Sequence, residues 1–233
     1  MRVIITGSTK GIGRAIVEAF AEEGHDIAFC SRTAADVKAF ATTLREKYPS
    51  IDIIGLAVDM SKIDAVKAFA TTILEQWNRV DVLINNTGTY IEGLVSEEKE
   101  GNLEFQIETN LYSAYYMTRA ILPQMKAQKS GHVINMCSIA SFLSYPNAGS
   151  YSVSKFALLG FTRVLRDEMR VHNIKVTAIM PGATWSAAWE GATLPKDRIM
   201  QAEDVAHSVL SVAKMKPGAV VEELIIRPQL GDL

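Results

Sequence analysis

The sequence predicts an α/β chain built on a doubly wound, seven-stranded parallel sheet with helices on both faces. Three observations point there. Short apolar runs alternate with longer helical patterns, a glycine-rich turn follows the first run at once, and the composition is that of a packed globular chain. Of 233 residues, 48% are apolar and 21% charged, and 24 basic against 26 acidic side chains leave a formal net charge of -2. That balance excludes a disordered chain, and a pI of about 6.1 argues against a nucleic-acid surface. The length suits one domain over residues 1–233, since α/β sheets commonly reach this size undivided.

The strand candidates are Val3–Ile5, Ile27–Cys30, Ile51–Val58, Val82–Ile84, Val133–Cys137, Lys175–Met180 and Val220–Ile226. Their apolar residues are nearly continuous, as in strands covered on both faces. After the first, Ile12, Ala15, Ile16, Ala19 and Phe20 form one apolar helical stripe. Thr33 with Asp36, and Ser61 with Asp64, have the spacing of capping boxes at the next two helices. A long helical stretch from Asn102 to Gln128 contains Pro123, where a kink or an early end is expected. Strand–helix alternation of this kind implies right-handed crossovers.

No run approaches the ~18 apolar residues that span a bilayer. Val3-Ile4-Ile5 is too short for the core of an export signal. Cys30 and Cys137 lie inside apolar runs and read as reduced core thiols. A cytoplasmic protein away from membranes is therefore expected. The four histidines are scattered without metal-ligand spacing, so no metal is expected.

The first strand runs into Thr6-Gly7-Ser8-Thr9-Lys10-Gly11-Ile12-Gly13, and a helix opens at the last glycines. Glycines there let the backbone turn tightly and approach a pyrophosphate, whose charge suits the free N–H groups of a helix start. An ordinary strand-to-helix turn is the plainer alternative, and the spacing is G-x3-G-x-G rather than G-x-G-x2-G. The second strand ends Cys30-Ser31-Arg32, with no carboxylate before Asp36 to hold a ribose 2′-hydroxyl. Arg32 and Lys10 instead offer two cations to a 2′-phosphate, which favours NADP(H). Asp59, closing the third strand, is placed either to meet the adenine or to cap the following helix.

Tyr151 and Lys155 are four residues apart (155 − 151 = 4), on one face of a helix. A phenol is a poor acid–base catalyst at neutrality, and a neighbouring ammonium makes its phenolate easier to form. Ser138 precedes Tyr151 by 13 residues (151 − 138 = 13), just after the fifth strand, at the sheet's carboxyl end.

Taken together, Thr6-Gly7-x3-Gly11-x-Gly13, Asp81-Val82-Leu83-Ile84-Asn85-Asn86-Thr87-Gly88, Asn110, Ser138, Tyr151-x3-Lys155 and Pro181-Gly182 resemble the short-chain dehydrogenase/reductase family, in order and spacing over nearly the whole chain. The resemblance implies a Rossmann-type fold and carbonyl reduction. Tyr151 would be the general acid and Ser138 would hold the substrate oxygen. Lys155 would bind the nicotinamide ribose, and Asn110 would hold a water that relays protons from Lys155. It further implies that Gly7, Thr9, Lys10, Gly11, Ile12, Gly13, Arg32, Asp59, Asn86, Thr87 and Gly88 line the cofactor, with Pro181, Gly182 and Thr184 at its nicotinamide end. Lys10 and Arg32 match the family's NADPH-preferring pattern. Thr87 departs from the family's Asn-Asn-Ala-Gly motif, standing where alanine is usual. Homodimers or homotetramers pairing the helices of Asn110 and Tyr151 are expected on the same ground.

Substrate choice is expected between residues 183 and 200 and beside Tyr145 and Pro146. Trp185 and Trp189 offer an aromatic wall. The Pro181-Gly182-Ala183-Thr184 region and the tail from Val220 to Leu233 resemble bacterial sepiapterin-reductase-like members, for which Asp232 and Glu190 are the candidate carboxylates. A 3-oxoacyl-(acyl carrier protein) reductase shares every motif and would need a basic landing patch, for which Lys126, Lys129, Arg163, Arg166 and Arg170 are available. A non-catalytic NADP-sensing module is the third reading; it would be expected to have lost Tyr151, Lys155 or Ser138.

Overall fold

The computed structural model describes residues 1–185 and 194–232. Seven strands form one parallel sheet: β1 (Arg2–Thr6), β2 (Asp26–Ser31), β3 (Ile53–Ala57), β4 (Val82–Asn85), β5 (Gly131–Met136), β6 (Ile174–Pro181) and β7 (Glu223–Ile226). Their order is β3-β2-β1-β4-β5-β6-β7. The helices are α1 (Gly11–Glu22), α2 (Ala34–Lys47), α3 (Ile63–Gln76), α4 (Asn102–Ile107), α5 (Ser113–Gln128), α6 (Gly149–Arg170) and α7 (Ala202–Ala213).

Alternate residues of a strand point to opposite faces, and the two cores follow that alternation. Val3, Ile5, Ile27 and Phe29 pack under α1, α2 and α7. Ile4, Ala28 and Cys30 face the other way, onto a core that takes Phe69 of α3, Met117 and Ile121 of α5 and Leu165 of α6. Both thiols are buried and unbridged, and burial raises Cys30 to about 12 and Cys137 to about 11. Among the described residues no helix is long and apolar enough to cross a membrane.

Several local expectations change. The segment 102–128 does not yield at Pro123, which lies inside α5 on its exposed side, where the carbonyl left without a donor can turn to water. The irregularity falls earlier, in a π-helical turn over Glu108–Tyr112 that carries Asn110. Neither capping box forms. Thr33 makes no side-chain cap, and α3 starts after Lys62, because Ser61 turns back to donate to Asp59. The third strand is shorter than its apolar run, as Ile51 lies in the turn before it, and only Glu223–Ile226 of the last run pairs.

The order of strands reverses between β1 and β4, so the connections leaving their carboxyl ends run to opposite faces and leave a crevice. Asn86 braces it: its Nδ2 donates to the carbonyls of Thr6 and Gly7, both at 2.9 Å. A Cβ on Gly13 would overlap the Gly7 carbonyl and the Asn86 amide, so only glycine lets α1 come this close to β4.

Candidate active site

A crevice of about 420 Å³ opens above β1 and β4. It is lined by Gly7, Thr9, Lys10, Ile12, Gly13, Arg32, Asp59, Asn86, Thr87 and Gly88, all residues that the sequence pattern assigns to a cofactor. Ser31, Thr89, Phe105 and Thr109 also line it and were not anticipated. Gly11 is not among the lining residues; it supplies a left-handed turn (φ 54°) at the start of α1.

The wall chemistry suits an anionic dinucleotide. Lys10, the N-cap of α1, makes no side-chain cap, and the first turn holds no acid, so the helix start keeps N–H groups for an anion. Lys10 and Arg32 stand at the same end. Lys10 lies 3.5 Å from Asp36, which also reaches this wall. Asp59 accepts from the Ser61 N–H at 3.0 Å and hydroxyl at 2.8 Å. Burial alone would raise that carboxyl, but these bonds and the charges of Lys62 and Arg32 outweigh it and hold it low. Thr87 and Thr109 each keep a buried hydroxyl with no partner among the described residues, so both could bond a guest.

At the far end Gly88 joins this crevice to the predicted catalytic group. A Cβ there would stand 3.3 Å from Asn110 Oδ1 and 3.4 Å from Lys155 Nζ, so a bare backbone lets both approach. Lys155 is 5% exposed, and its Nζ donates to the Met136 carbonyl at 2.9 Å. An ammonium has three hydrogens, and no carboxylate pairs with this one among the described residues. A buried cation so placed has donors to give a ligand's hydroxyls. Its Nζ lies 5.7 Å from the Tyr151 ring centroid, and none of the described residues hydrogen-bonds the Tyr151 hydroxyl.

Ser138 follows β5 and is 8% exposed. Its Oγ accepts from the Ala140 N–H at 3.1 Å, which leaves the hydroxyl hydrogen to donate elsewhere. Asn110 is fully buried, and its amide is committed: Oδ1 receives the Thr89 N–H at 2.7 Å, and Nδ2 donates to Thr89 O at 3.0 Å and Ser154 Oγ at 2.8 Å. Both Nδ2 hydrogens are thus used, while Oδ1 keeps a second lone pair.

Beyond lies the predicted substrate region. Asp232 is committed to the protein: its Oδ2 accepts from Arg227 Nε at 2.6 Å and its Oδ1 from the Ala183 N–H at 3.2 Å. A Cβ on Gly182 would overlap Oδ1, which fixes glycine there. Pro181 ends β6 and Thr184 pairs with Met200, so both sit outside the crevice lining. Trp185 is half-buried, and its N–H donates to Met200 O at 2.8 Å. Trp189 and Glu190 lie outside the described residues. Of the basic residues considered as a landing patch, Arg163 forks onto Glu223 at 2.7 and 3.1 Å, and Arg166 is bonded to the carbonyls of Val176 and Glu222.

The pattern described as short chain dehydrogenase matches residues 1–195. The chain belongs to the short-chain dehydrogenase family. This short-chain dehydrogenase is 31% identical to the sepiapterin reductase of Chlorobaculum tepidum, over 99% of its own length and 97% of that protein's. It is 28% identical to a 3-oxoacyl-(acyl-carrier-protein) reductase of Staphylococcus epidermidis, over 95% of each. Among solved structures it resembles the alcohol dehydrogenase of Thermococcus sibiricus complexed with 5-hydroxy-NADP, with a TM-score of 0.89, 26% identity, and coverage of 98% and 96%. The L-sorbose reductase of Gluconobacter frateurii complexed with NADPH and L-sorbose gives a TM-score of 0.90 at 25% identity, with coverage of 97% and 95%.

The residues that the sequence pattern singles out thus lie at both ends of one crevice. What the pattern missed, Thr89 above all, acts through contacts far apart in the chain. Thr89 follows directly on Gly88, but its grip by Asn110 spans 21 residues and leaves no spacing signal.

Proposed function

We propose that this short-chain dehydrogenase is an NADPH-dependent reductase of a small, uncharged carbonyl compound, of the kind that sepiapterin represents. The observation that carries the reading is the buried, unpaired ammonium of Lys155, set under Gly88 and beside Tyr151 where the crevice ends. The relatives that hold NADPH or an NADP derivative support the cofactor.

Bound reduced nicotinamide supplies the hydride. The rest falls to the chain. Ser138 donates a hydrogen bond to the carbonyl oxygen and steadies the alkoxide as charge develops. Tyr151 gives that oxygen its proton, so that C=O becomes CH–OH and a phenolate remains. Lys155 offsets the phenolate's charge and holds ribose hydroxyls with its spare hydrogens. Asn110 acts by fixing Thr89 and Ser154 around this centre. Lys10 and Arg32 take the 2′-phosphate, and Pro181, Gly182 and Thr184 flank the nicotinamide end. Residues 183–200 serve as the substrate loop of one dinucleotide-binding unit.

Acyl-carrier reduction is the second reading, supported by the Staphylococcus relative. It is disfavoured because Arg163 is spent on Glu223, which leaves less basic charge for an acidic carrier. Turnover of sepiapterin, small diketones and an acetoacetyl thioester with NADPH and NADH tests both. Preference for the thioester would overturn the first reading, and binding of NADPH without turnover of any carbonyl would favour the sensing module.

A homo-oligomer in the cytoplasm completes the proposal. Val153, Phe156 and Val164 leave an apolar strip exposed along α6, and both thiols are buried and free. A single-chain mass in sedimentation equilibrium would overturn the assembly.

A further inference from the structure

Tyr90 stands over the reaction centre in a setting that no motif predicts. Its ring meets that of Tyr151 at a centroid distance of 5.0 Å and an interplanar angle of 87°. The residue is 48% exposed, so much of the ring remains open to a guest. Its hydroxyl approaches the Asn147 carbonyl only at 3.5 Å, a weak tie that leaves the ring as its main feature.

The backbone on either side is held firmly. Asn110 grips both the N–H and the carbonyl of Thr89. Gln106, fully buried, accepts the Ile91 N–H at 3.2 Å. Gly93 donates to the Asn147 carbonyl at 2.8 Å and accepts from the N–H of Gly149, the first residue of α6, at 2.9 Å. A residue between such clamps loses little further freedom when a ligand arrives, so its ring is a preorganised surface.

Tyr145 joins it from the loop after β5, and Tyr90, Tyr145 and Tyr151 lie within electrostatic reach of one another. Burial and the neighbouring Glu92 raise the Tyr90 phenol, so it stays neutral and offers a ring face rather than a charge. A saturated, extended acyl chain gains only contact area from such walls. A planar conjugated ring gains offset or edge-to-face aromatic contact as well.

We infer that Tyr90 is a specificity-determining residue, which selects planar conjugated ring ketones or diones over acyclic carbonyls by stacking against them beside Tyr151. This rests on the reductase reading above. The test compares kcat/KM for an aryl 1,2-dione and for diacetyl, with NADPH, in wild type, Tyr90→Ala and Tyr90→Phe. NADPH binding by fluorescence and the melting temperature report on the scaffold. Tyr90→Ala is expected to cut the aryl-to-acyclic ratio by about 2- to 13-fold, mainly through KM for the dione, while NADPH binding persists. Tyr90→Phe is expected to restore the ratio.

An unchanged ratio in Tyr90→Ala, with both carbonyls turned over, overturns this inference alone. So does Tyr90→Phe behaving like Tyr90→Ala, since the hydroxyl would then be the active part. A fall in kcat equal for both substrates assigns Tyr90 to positioning Tyr151 and likewise overturns selection. Wild-type enzyme inactive on every carbonyl overturns the reductase reading and this inference with it.

Discussion

The Glu98 carboxylate receives the Ser150 N–H at 2.8 Å and is bonded to the Ser150 hydroxyl as well. It thereby caps the helix that carries Tyr151 and Lys155. That helix has no cap of its own, since Ala148 stands at its N-cap and its first turn holds no acid. Gly93 and Gly149 make room, for a Cβ on either would press against the Glu98 side chain.

Glu98→Ala therefore removes the cap from the catalytic helix. Caps contribute about 0.5–2 kcal/mol, so melting should fall by roughly 1 to 8 °C. Loosening Tyr151 should lower kcat/KM by up to about a hundredfold. Glu98→Gln keeps an acceptor and should recover most of both. Scanning calorimetry and steady-state kinetics check it; an alanine variant with wild-type values removes Glu98 from this role.

Arg32 and Lys10 border the adenosine end of the crevice. A charge-assisted hydrogen bond contributes about 1.5–3 kcal/mol, so Arg32→Ser should weaken NADPH binding by about 10- to 150-fold. NADH, lacking the 2′-phosphate, should change little. Titration of cofactor fluorescence measures both, and equal losses for the two cofactors would contradict the assignment.

Lys155 is a buried cation with a single carbonyl acceptor. Burying a charge without a counter-ion costs folding energy that an apolar side chain of similar shape avoids. Lys155→Met should thus melt higher than wild type while losing nearly all reduction. A lower melting point would mean that its bond to Met136 outweighs the cost of burial.

His132 donates from Nε2 to Thr177 Oγ1 at 2.8 Å, because the Thr177 hydroxyl itself donates to Val221 O. Its Nδ1 has no partner among the described residues, and burial, helped by Lys175, lowers the ring to about 3. Unfolded, it titrates near 6.5, so the unfolded chain binds the extra proton between about pH 6.5 and 3 and stability falls as pH drops through that window. From pH 7.5 to 5.0 the loss from His132 is about 2 kcal/mol. His25, lowered by burial and the N-terminal ammonium, adds in the same direction. Urea unfolding at the two pH values should show the loss, and His132→Gln should remove most of it.

The sheet, its two faces and the glycine turn were legible in the sequence, because each rests on local order. Continuous apolar runs make buried strands, and Gly7, Gly11 and Gly13 sit where the backbone must turn and draw close. The pairing of Tyr151 with Lys155 was legible for the same reason, as one turn of helix sets it.

Contacts across the chain were not. The capping box at Ser61 failed because that side chain found a nearer acceptor in Asp59, and the helix irregularity moved from Pro123 to the turn of Asn110. Asp232 reads as a free carboxylate until Arg227 and the Ala183 N–H are seen to occupy it. Glu98 meets Ser150 across 52 residues, and Tyr90 meets Tyr151 only because the loop after β4 folds onto the start of α6. Short-range periodicity and backbone sterics determined the frame and the chemistry it can hold. Long-range packing alone decided which polar groups remain free to act, since a hydrogen bond made within the protein is one that no substrate can use.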